Sequence, residues 1–239
     1  VSTGITESSS DPTISTNPSG GVGTEWMNTT SGEVYICTDA TAGANVWTNV
    51  GAGTGDVEPY SFPGTQYGYT SGGYAGGGTQ SNIIEKFSFT TTSNATDVGD
   101  MTGGRSSPAG CSSLTHGYVC GGNNQGDAAP FNIIDKFSFS TDGNASDIGD
   151  LAVQSTSLRC GGSSQTNGYT FGGNCNPSPN NAIQKFSFSS DGNASDIGDT
   201  HYSANDMAPN SSGTYCYHSG GIPAVNSIGK VSTSTDGNS

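Results

Sequence analysis

Residues 132–150 read NIIDKFSFSTDGNASDIGD, and the chain contains two further stretches of nearly the same wording. They are NIIEKFSFTTTSNATDVGD at residues 82–100 and NAIQKFSFSSDGNASDIGD at residues 181–199. A Tyr-x-x-Gly-Gly motif precedes each copy and occurs once more near the end, with its tyrosines 49, 51 and 48 residues apart. A period of about fifty residues is typical of propellers, solenoids and other repeat arrays. The four tyrosines are Tyr69, Tyr118, Tyr169 and Tyr217.

Each repeat predicts short strands and no helix. In residues 133–139, IIDKFSF, the two phenylalanines fall on one face of a pleated strand and Ile134 falls on the other. An Asp-Gly pair at residues 142–143 then predicts a tight hairpin turn, followed by a short strand around Ile148. The Gly-Tyr-x-x-Gly-Gly strand and a Ser-rich strand before it, such as residues 111–113, bring the count to four strands per repeat.

The repeat resembles the Kelch type, in which a double glycine closes one strand and an aromatic residue lies in the next. The resemblance covers residues 67–239 and departs from the usual pattern where Ile148 or Ile197 replaces a tryptophan. The Lys-Phe-Ser-Phe wording is similar to Kelch-like repeats of bacteriophage virion proteins. It implies an all-β fold of propeller blades, with three full four-stranded repeats and a truncated fourth. The residues that carry the resemblance in one repeat are Arg105, Ser112, Ser113, Tyr118, Gly121, Gly122, Ile134, Lys136, Phe137, Ile148, Gly149 and Asp150.

Four segments are expected along the chain. Residues 1–20 are polar and Ser/Thr-rich, and they predict a flexible arm or linker. Residues 21–52 predict a small three-stranded β-meander, residues 53–66 a Gly/Pro linker, and residues 67–239 the repeat domain.

The meander contains both tryptophans of the chain, Trp26 and Trp47. The segment resembles a short module of phage tail and fibre proteins. Two interpretations stay open. Either the tryptophans form the core of a module too small to have another one, or one of them is an exposed glycan-binding platform on which a sugar stacks.

Composition excludes several classes of protein. The net charge is −14, with 6 Lys plus Arg against 20 Asp plus Glu, so the cationic surface that nucleic-acid binding requires is missing. We therefore expect no nucleic-acid partner. No apolar run is long enough for a membrane-spanning helix. Gly accounts for 38 residues and the hydrophobic fraction is only 30%, which favours short strands and turns over helices.

The six cysteines show no spacing typical of a zinc site. Cys111 and Cys120 lie on either side of the predicted hairpin between the first two strands of a repeat, and a disulfide between them is one interpretation. Buried free thiols that fill small gaps are the other.

A repeated acidic loop is the best candidate for a binding site. Its oxygen ligands suit Ca²⁺, although the spacing does not match an EF-hand. Asx turns explain the same residues without metal. We therefore expect no cofactor and keep calcium as the alternative. The candidate ligands are Asp97, Asp100, Asp147, Asp150, Asp196 and Asp199.

Sequons occur at Asn94, Asn144 and Asn193, on the same turn of successive repeats. The chain has five sequons in all, about as many as its composition predicts by chance, so they carry weight only through this shared position. Glycosylation there would coat one side of the array and would favour a cellular origin.

The last repeat has Lys-Val-Ser-Thr in place of Lys-Phe-Ser-Phe, and the sequence given stops at Ser239, inside the turn that begins at Asp236. Without the two buried aromatics we expect this blade to be the weakest. An unfinished blade leaves a strand edge open. Residues 1–6 are the candidate to fill it, in the same subunit or the next, which predicts self-association by strand exchange.

No Gly-x-Ser-x-Gly, HExxH or P-loop motif is present, and we expect no enzyme. The leading hypothesis is a structural and adhesive virion protein, a phage fibre or spike that contacts host surface glycans and other virion proteins. It would lie on the virion surface or outside the cell. The alternatives are a self-polymerising extracellular fibril subunit and a secreted carbohydrate-active propeller enzyme.

Overall fold

The computed structural model describes residues 4–51, 64, 66–124, 131–156, 160–175 and 179–239. Within these ranges the chain is all-β, with eighteen strands in five small sheets and one 3₁₀ turn at Gly76–Gly78. It divides into two compact units, Val1–Ser61 and Phe62–Ser239. No described helix has the length and apolar character needed to cross a bilayer.

The first unit contains the predicted meander. Its strands β2 (Glu25–Asn28), β3 (Val34–Asp39) and β4 (Val46–Asn49) pair antiparallel in chain order. The core consists of Tyr35, Cys37 and Trp47, all fully or almost fully buried.

The segment predicted as a flexible arm is ordered from residue 4 to residue 20. Its strand β1 (Thr6–Ser8) adds to the meander in parallel with β2, so the sheet has four strands. The buried Asn45 side chain donates a 2.8 Å hydrogen bond to the carbonyl of Ile14. The arm prediction was wrong because it relied on the low apolar content of the segment. The segment is held instead by hydrogen bonds of its backbone and of the Asn45 amide, which apolar content does not predict. Thr6 is already paired with Trp26, so strand exchange by this segment would require that pairing to break.

The second unit consists of four antiparallel sheets, one for each repeat, which we call repeat sheets 1 to 4. Sheets 2 and 3 have four strands each, as predicted. Sheets 1 and 4 have three strands each among the described residues, and most of the predicted linker at residues 53–66 lies outside that part. The strands are β5 (Tyr67–Ser71), β6 (Ile83–Ser88) and β7 (Thr96–Asp100); β8 (Ala109–Ser112), β9 (His116–Cys120), β10 (Ile133–Ser138) and β11 (Ser146–Asp150); β12 (Gly161–Ser163), β13 (Asn167–Phe171), β14 (Ala182–Ser187) and β15 (Ser195–Asp199); β16 (Ala208–Ser211), β17 (Tyr215–Ser219) and β18 (Ile228–Ser232).

Each repeat sheet is buried by its neighbours, as the period-two pattern predicts. On β10, Ile134 packs into the core shared with sheet 3, whereas Phe137 packs into the core shared with sheet 1. A third core lies between sheets 3 and 4. The predicted tight turn after β10 is longer than a two-residue hairpin, because residues 139–145 separate the two strands.

A glycine under each phenylalanine fixes the register inside the sheets. Phe137 lies opposite Gly117, where an added Cβ would come 2.2 Å from the Phe137 ring. Sheets 1 and 3 have the same glycine and phenylalanine pair. In sheet 4 the pair becomes Cys216 and Val231, both buried, so the volume lost with phenylalanine is partly restored on the partner strand.

The first strands of consecutive sheets lie side by side. The amide of Ser112 in β8 donates to Ser163 Oγ in β12, and the amide of Ser163 donates to Ser211 Oγ in β16, both at 2.9 Å. Gly161 permits this approach, because a Cβ there would be 2.3 Å from the carbonyl oxygen of Gly110. The Ser-rich strands therefore position each sheet against the next.

Candidate functional site

The acidic loops selected from the sequence are structural turns in the folded chain. Asp97, Asp147 and Asp196 each accept, through Oδ1, the backbone N–H of the glycine two residues later, at 3.0–3.2 Å. These are the Asx turns that the sequence offered as the alternative to calcium. Among the described residues no three His, Cys, Asp or Glu side chains converge as metal ligands.

The second aspartate of each acidic loop, Asp100, Asp150 or Asp199, joins one sheet to the next. The amide of Asp150 donates to Asn193 Oδ1 at 3.0 Å, and its carbonyl accepts the amide of Ala194 at 2.8 Å. Lys136 Nζ lies 2.8 Å from Asp191 Oδ1. The Asp-Gly-Asn-Ala turn of sheet 3 is thus bound by the lysine and the Ile-Gly-Asp strand of sheet 2. We call this set of contacts the inter-sheet clasp.

The clasp occurs at all three junctions between repeat sheets. Its glycine is required because Gly149 lies against the next turn, where a Cβ would be 2.5 Å from the Gly192 carbonyl. The equivalent contacts at the first junction are Lys86 to Asp142 and the Asp100 amide to Asn144, both at 3.1 Å. At the third they are Lys185 to Asp236 and the Asp199 amide to Asn238.

The lysine and aspartate pairs lie at the surface. The side chain of Lys86 is 20% exposed and that of Asp142 is 50% exposed. The hydrogen bond to Asp142 raises the pKa of Lys86. Exposed pairs of this kind contribute about 0.2–1 kcal/mol each and weaken with salt. Their main effect is therefore to select the position at which the next turn binds.

Aromatic stacking accompanies the clasp at the first two junctions. The ring of Tyr69 in sheet 1 stacks on Phe139 of sheet 2, with centroids 4.9 Å apart, and tilts against Phe137 at 5.4 Å. Tyr118 makes the same contacts with the next phenylalanine pair, at 4.8 and 5.4 Å. At the third junction Tyr169 instead donates its hydroxyl to the carbonyl of Thr233 at 3.3 Å.

The clasp could have been predicted by comparing each repeat with the one before it. Each of the turns with Asp142, Asp191 and Asp236 follows a repeat that supplies a lysine. The first repeat has Thr92 at the equivalent position, and no repeat precedes it in the 239 residues. The acid is thus present wherever a lysine faces it.

We expect Asn193→Ala to lower the free energy of unfolding by about 1 kcal/mol, because the amide of Asp150, at the half-buried end of β11, loses its hydrogen-bond acceptor. The matched control is Asn94→Ala. Asn94 occupies the equivalent position in sheet 1 and has no hydrogen-bond partner within the described part of the chain, so its replacement should change stability by less than about 0.5 kcal/mol. Urea unfolding followed by circular dichroism measures both, and equal losses would contradict a bonding role for Asn193.

The three candidate glycosylation sites lie at these turns. Asn94, Asn144 and Asn193 are all exposed. The side-chain oxygens of Asn144 and Asn193 accept clasp hydrogen bonds. Asn94 is thus the sequon of the three that no described clasp engages.

The two tryptophans have different environments. Trp47 is fully buried, and its indole N–H donates to the carbonyl of Thr16 at 3.3 Å. Trp26 is half-buried, packs edge-on against Trp47 at 5.9 Å, and donates to the carbonyl of Ser10 at 3.0 Å. Trp47 is therefore a core residue, and Trp26 is the one whose ring retains a solvent-facing part.

All six cysteines are free thiols in the structure. Cys111 and Cys120 are buried on adjacent strands, but Cys111 pairs with Tyr118 and Cys120 with Ala109, so the two are diagonal neighbours. Burial raises the pKa of Cys160, and that of Cys216 to about 12. These thiols are protonated at neutral pH and act as small core side chains.

The structure contains a buried ion pair and a buried histidine that the sequence analysis did not propose as site residues. Arg105 and Asp135 form a fully buried ion pair between sheets 1 and 2. His218, fully buried in sheet 4, has Nδ1 3.3 Å from the Tyr202 hydroxyl and Nε2 2.9 Å from Ser239 Oγ.

No protein-family model and no curated protein matches the chain. Among solved structures, one titled "Structure of YjhT" aligns with a TM-score of 0.54 at 15% sequence identity. The alignment covers 79% of this chain and 66% of that chain, so this chain spans slightly less than two thirds of that neighbour. The likeness supports the β-rich, propeller-like arrangement of the sheets and concerns the fold alone.

Proposed function

We propose that the protein is a non-enzymatic structural and adhesive protein of the phage fibre or spike type, built on a Kelch-like propeller array. One observation carries the proposal: the side chains that make the repeats alike, Lys, Asp, Asn, Gly, Tyr and Phe, are used in the clasp and in stacking one sheet on the next. The repeated residues therefore serve to stack the sheets on one another. The resemblance of the repeat wording and of the tryptophan module to phage virion proteins supports the same function.

Adhesion is assigned to the first unit through Trp26. Its half-buried ring packs edge-on against the core residue Trp47, and its indole N–H is bound to the carbonyl of Ser10. A ring held in this way, with a solvent-facing part, suits stacking on a sugar. The acidic surface, with a net charge of −14, favours neutral or cationic polysaccharides over anionic ones.

We expect Trp26→Ala to weaken binding to a bacterial surface polysaccharide about fivefold, because stacking of an aromatic ring on a sugar contributes on the order of 1 kcal/mol. The measurement is binding of the purified chain to an array of such polysaccharides. Val22→Ala is the matched control, since Val22 is 66% exposed in the same unit and lies outside the tryptophan pair. Unchanged binding by Trp26→Ala, or absence of any binding by the natural chain, would contradict the adhesive part.

A second candidate is an extracellular fibril subunit, favoured by the exposure of Asn94, Asn144 and Asn193 on equivalent turns. Intact-protein mass spectrometry of material from the natural source separates the two. Glycans on these asparagines would favour the fibril, and unmodified protein would favour the virion protein.

A further inference from the structure

Sheet 1 carries a phenylalanine pair on which no tyrosine of the described chain stacks. Phe87 and Phe89 correspond to Phe137 and Phe139 of sheet 2. Their rings are 5.5 Å apart at 86°, close to the 5.8 Å and 78° of the covered pair. Yet Phe89 is 53% exposed, whereas Phe139 is half-buried under Tyr69. The first pair thus has the geometry of a stacking site without the tyrosine that elsewhere covers it.

Sheet 4 carries the complementary half. Tyr217 occupies the position of Tyr69 and Tyr118, and among the described residues its only ring contact is with its neighbour Tyr215. Lys230 occupies the position of the clasp lysines. It is exposed, lies 4.2 Å above the Tyr215 ring, and forms no ion pair with a described carboxylate.

We propose that the sheet 4 face of one copy binds the sheet 1 face of a second copy, with Tyr217 stacked on Phe87 and Phe89. This proposal rests on the structural function proposed above and names its partner, a second copy of this chain. The occupant is chosen because the chain itself forms this contact twice internally, between a tyrosine and a phenylalanine pair of the same geometry.

The contact is head-to-tail, because the two faces are different surfaces of the chain. Such heterologous contacts produce rings when the rotation closes and filaments when it does not. Thr92 replaces the clasp aspartate in sheet 1, so the contact lacks the ion pair present at the internal junctions. The intermolecular contact is therefore weaker than an internal junction, and the net charge of −14 on each copy opposes it at low salt.

Sedimentation velocity at increasing concentration in physiological salt tests the proposal. The natural chain should show an average mass that rises above one chain of 24.0 kDa. Phe89→Ser and Tyr217→Ser should each weaken association at least about tenfold, because aromatic anchors dominate such contacts. Leu114→Ser is the control, since Leu114 is 69% exposed in the turn after β8 and should leave association unchanged.

Mixing the two serine variants tests the head-to-tail arrangement. Phe89→Ser retains the sheet 4 face and Tyr217→Ser retains the sheet 1 face, so the mixture should form a one-to-one dimer that does not grow further. Each variant's circular dichroism confirms that it is folded.

A gain-of-function variant does not depend on how the serine variants fold. Thr92→Asp places the missing acid opposite Lys230 of the next copy and should tighten association by about two- to fivefold, an increase that salt or Lys230→Ala removes. A natural chain that stays monomeric, association that survives both serine variants, or no gain from Thr92→Asp overturns the proposal. Polysaccharide binding by monomeric Phe89→Ser would show that adhesion stands without it.

Discussion

Asp135→Ala is expected to lower the free energy of unfolding of the second unit by about 3–5 kcal/mol, because it leaves the buried Arg105 guanidinium without its counter-charge. Both side chains are fully buried. The Asp135 carboxylate also accepts hydrogen bonds from the amide and hydroxyl of Thr102, at 3.1 and 2.8 Å. Removing it therefore breaks the attachment of the loop between sheets 1 and 2 as well as the ion pair.

Burial of the ion pair sets the size of this effect. A control at the equivalent position of sheet 1 tests this. Glu85 occupies the same position in sheet 1, is exposed, and within the described ranges accepts only a 3.3 Å hydrogen bond from Thr70. Glu85→Ala should therefore change stability by less than about 0.5 kcal/mol. Urea unfolding should be followed by far-ultraviolet circular dichroism, because both tryptophans lie in the first unit and their fluorescence does not report on this core.

The double variant Arg105→Met with Asp135→Leu separates loss of the partner from loss of packing. Apolar replacements of similar volume remove both charges together, so the variant should recover most of the stability lost by Asp135→Ala. A loss below about 1 kcal/mol for Asp135→Ala, or a double variant no more stable than the single one, would contradict an ion pair buried to this extent.

The repeat pattern was sufficient to predict most of the strands. Period two in residues 133–139 places Ile134 and Phe137 on opposite faces, and both are buried because sheet 2 lies between sheets 1 and 3. The lengths of the turns were not predictable in the same way. The Asp-Gly pair indicates a turn, but the turn spans residues 139–145, and the same length recurs at residues 89–95, where Thr92 and Ser93 replace the Asp-Gly pair.

Contacts between segments with no shared period could not be predicted. Residues 4–20 are poor in apolar residues, yet the carbonyls of Ser10, Ile14 and Thr16 accept hydrogen bonds from Trp26, Asn45 and Trp47. Such bonds depend on where a carbonyl points, which a sequence pattern does not record.

The core of sheet 4 shows a second limit of prediction from sequence. A buried side chain on one of its strands occupies the space that, in sheet 3, is filled by a side chain of the adjacent strand. Gln184 in sheet 3 is buried and bonds the backbone of Val153 at 2.8 and 3.1 Å. The equivalent position in sheet 4 is Gly229, where a Cβ would be 2.0 Å from His218 Nε2. The histidine on β17 fills the space of the missing side chain on β18, and only the strand register reveals this exchange.

This exchange makes the last repeat sheet sensitive to acid, and we expect its stability to fall as the pH drops from 6.5 to about 4. Burial first, and then the nearby His201, lower the pKa of His218 from its ordinary 6.5 to about 4. At pH 7 the imidazole is neutral in both the folded and the unfolded chain. Below 6.5 the unfolded chain takes up a proton that the folded chain does not, so the free energy of unfolding decreases by about 1.4 kcal/mol per pH unit. Across the whole window the loss is on the order of 3 kcal/mol.

Comparison of pH profiles isolates His218 from the carboxylates, which also titrate at low pH. The free energy of unfolding should be measured by urea titration at several pH values between 7 and 4 for the natural chain and for His218→Gln. His218→Gln should be less stable at pH 7 but show a shallower decline, because it has no imidazole to charge on unfolding. His116→Gln is the control. Burial also lowers the pKa of His116, but this side chain is only half-buried and its removal should flatten the profile less. Parallel profiles for the natural chain and His218→Gln would mean that the imidazole is hydrated in the folded protein and that sheet 4 does not seal it from water.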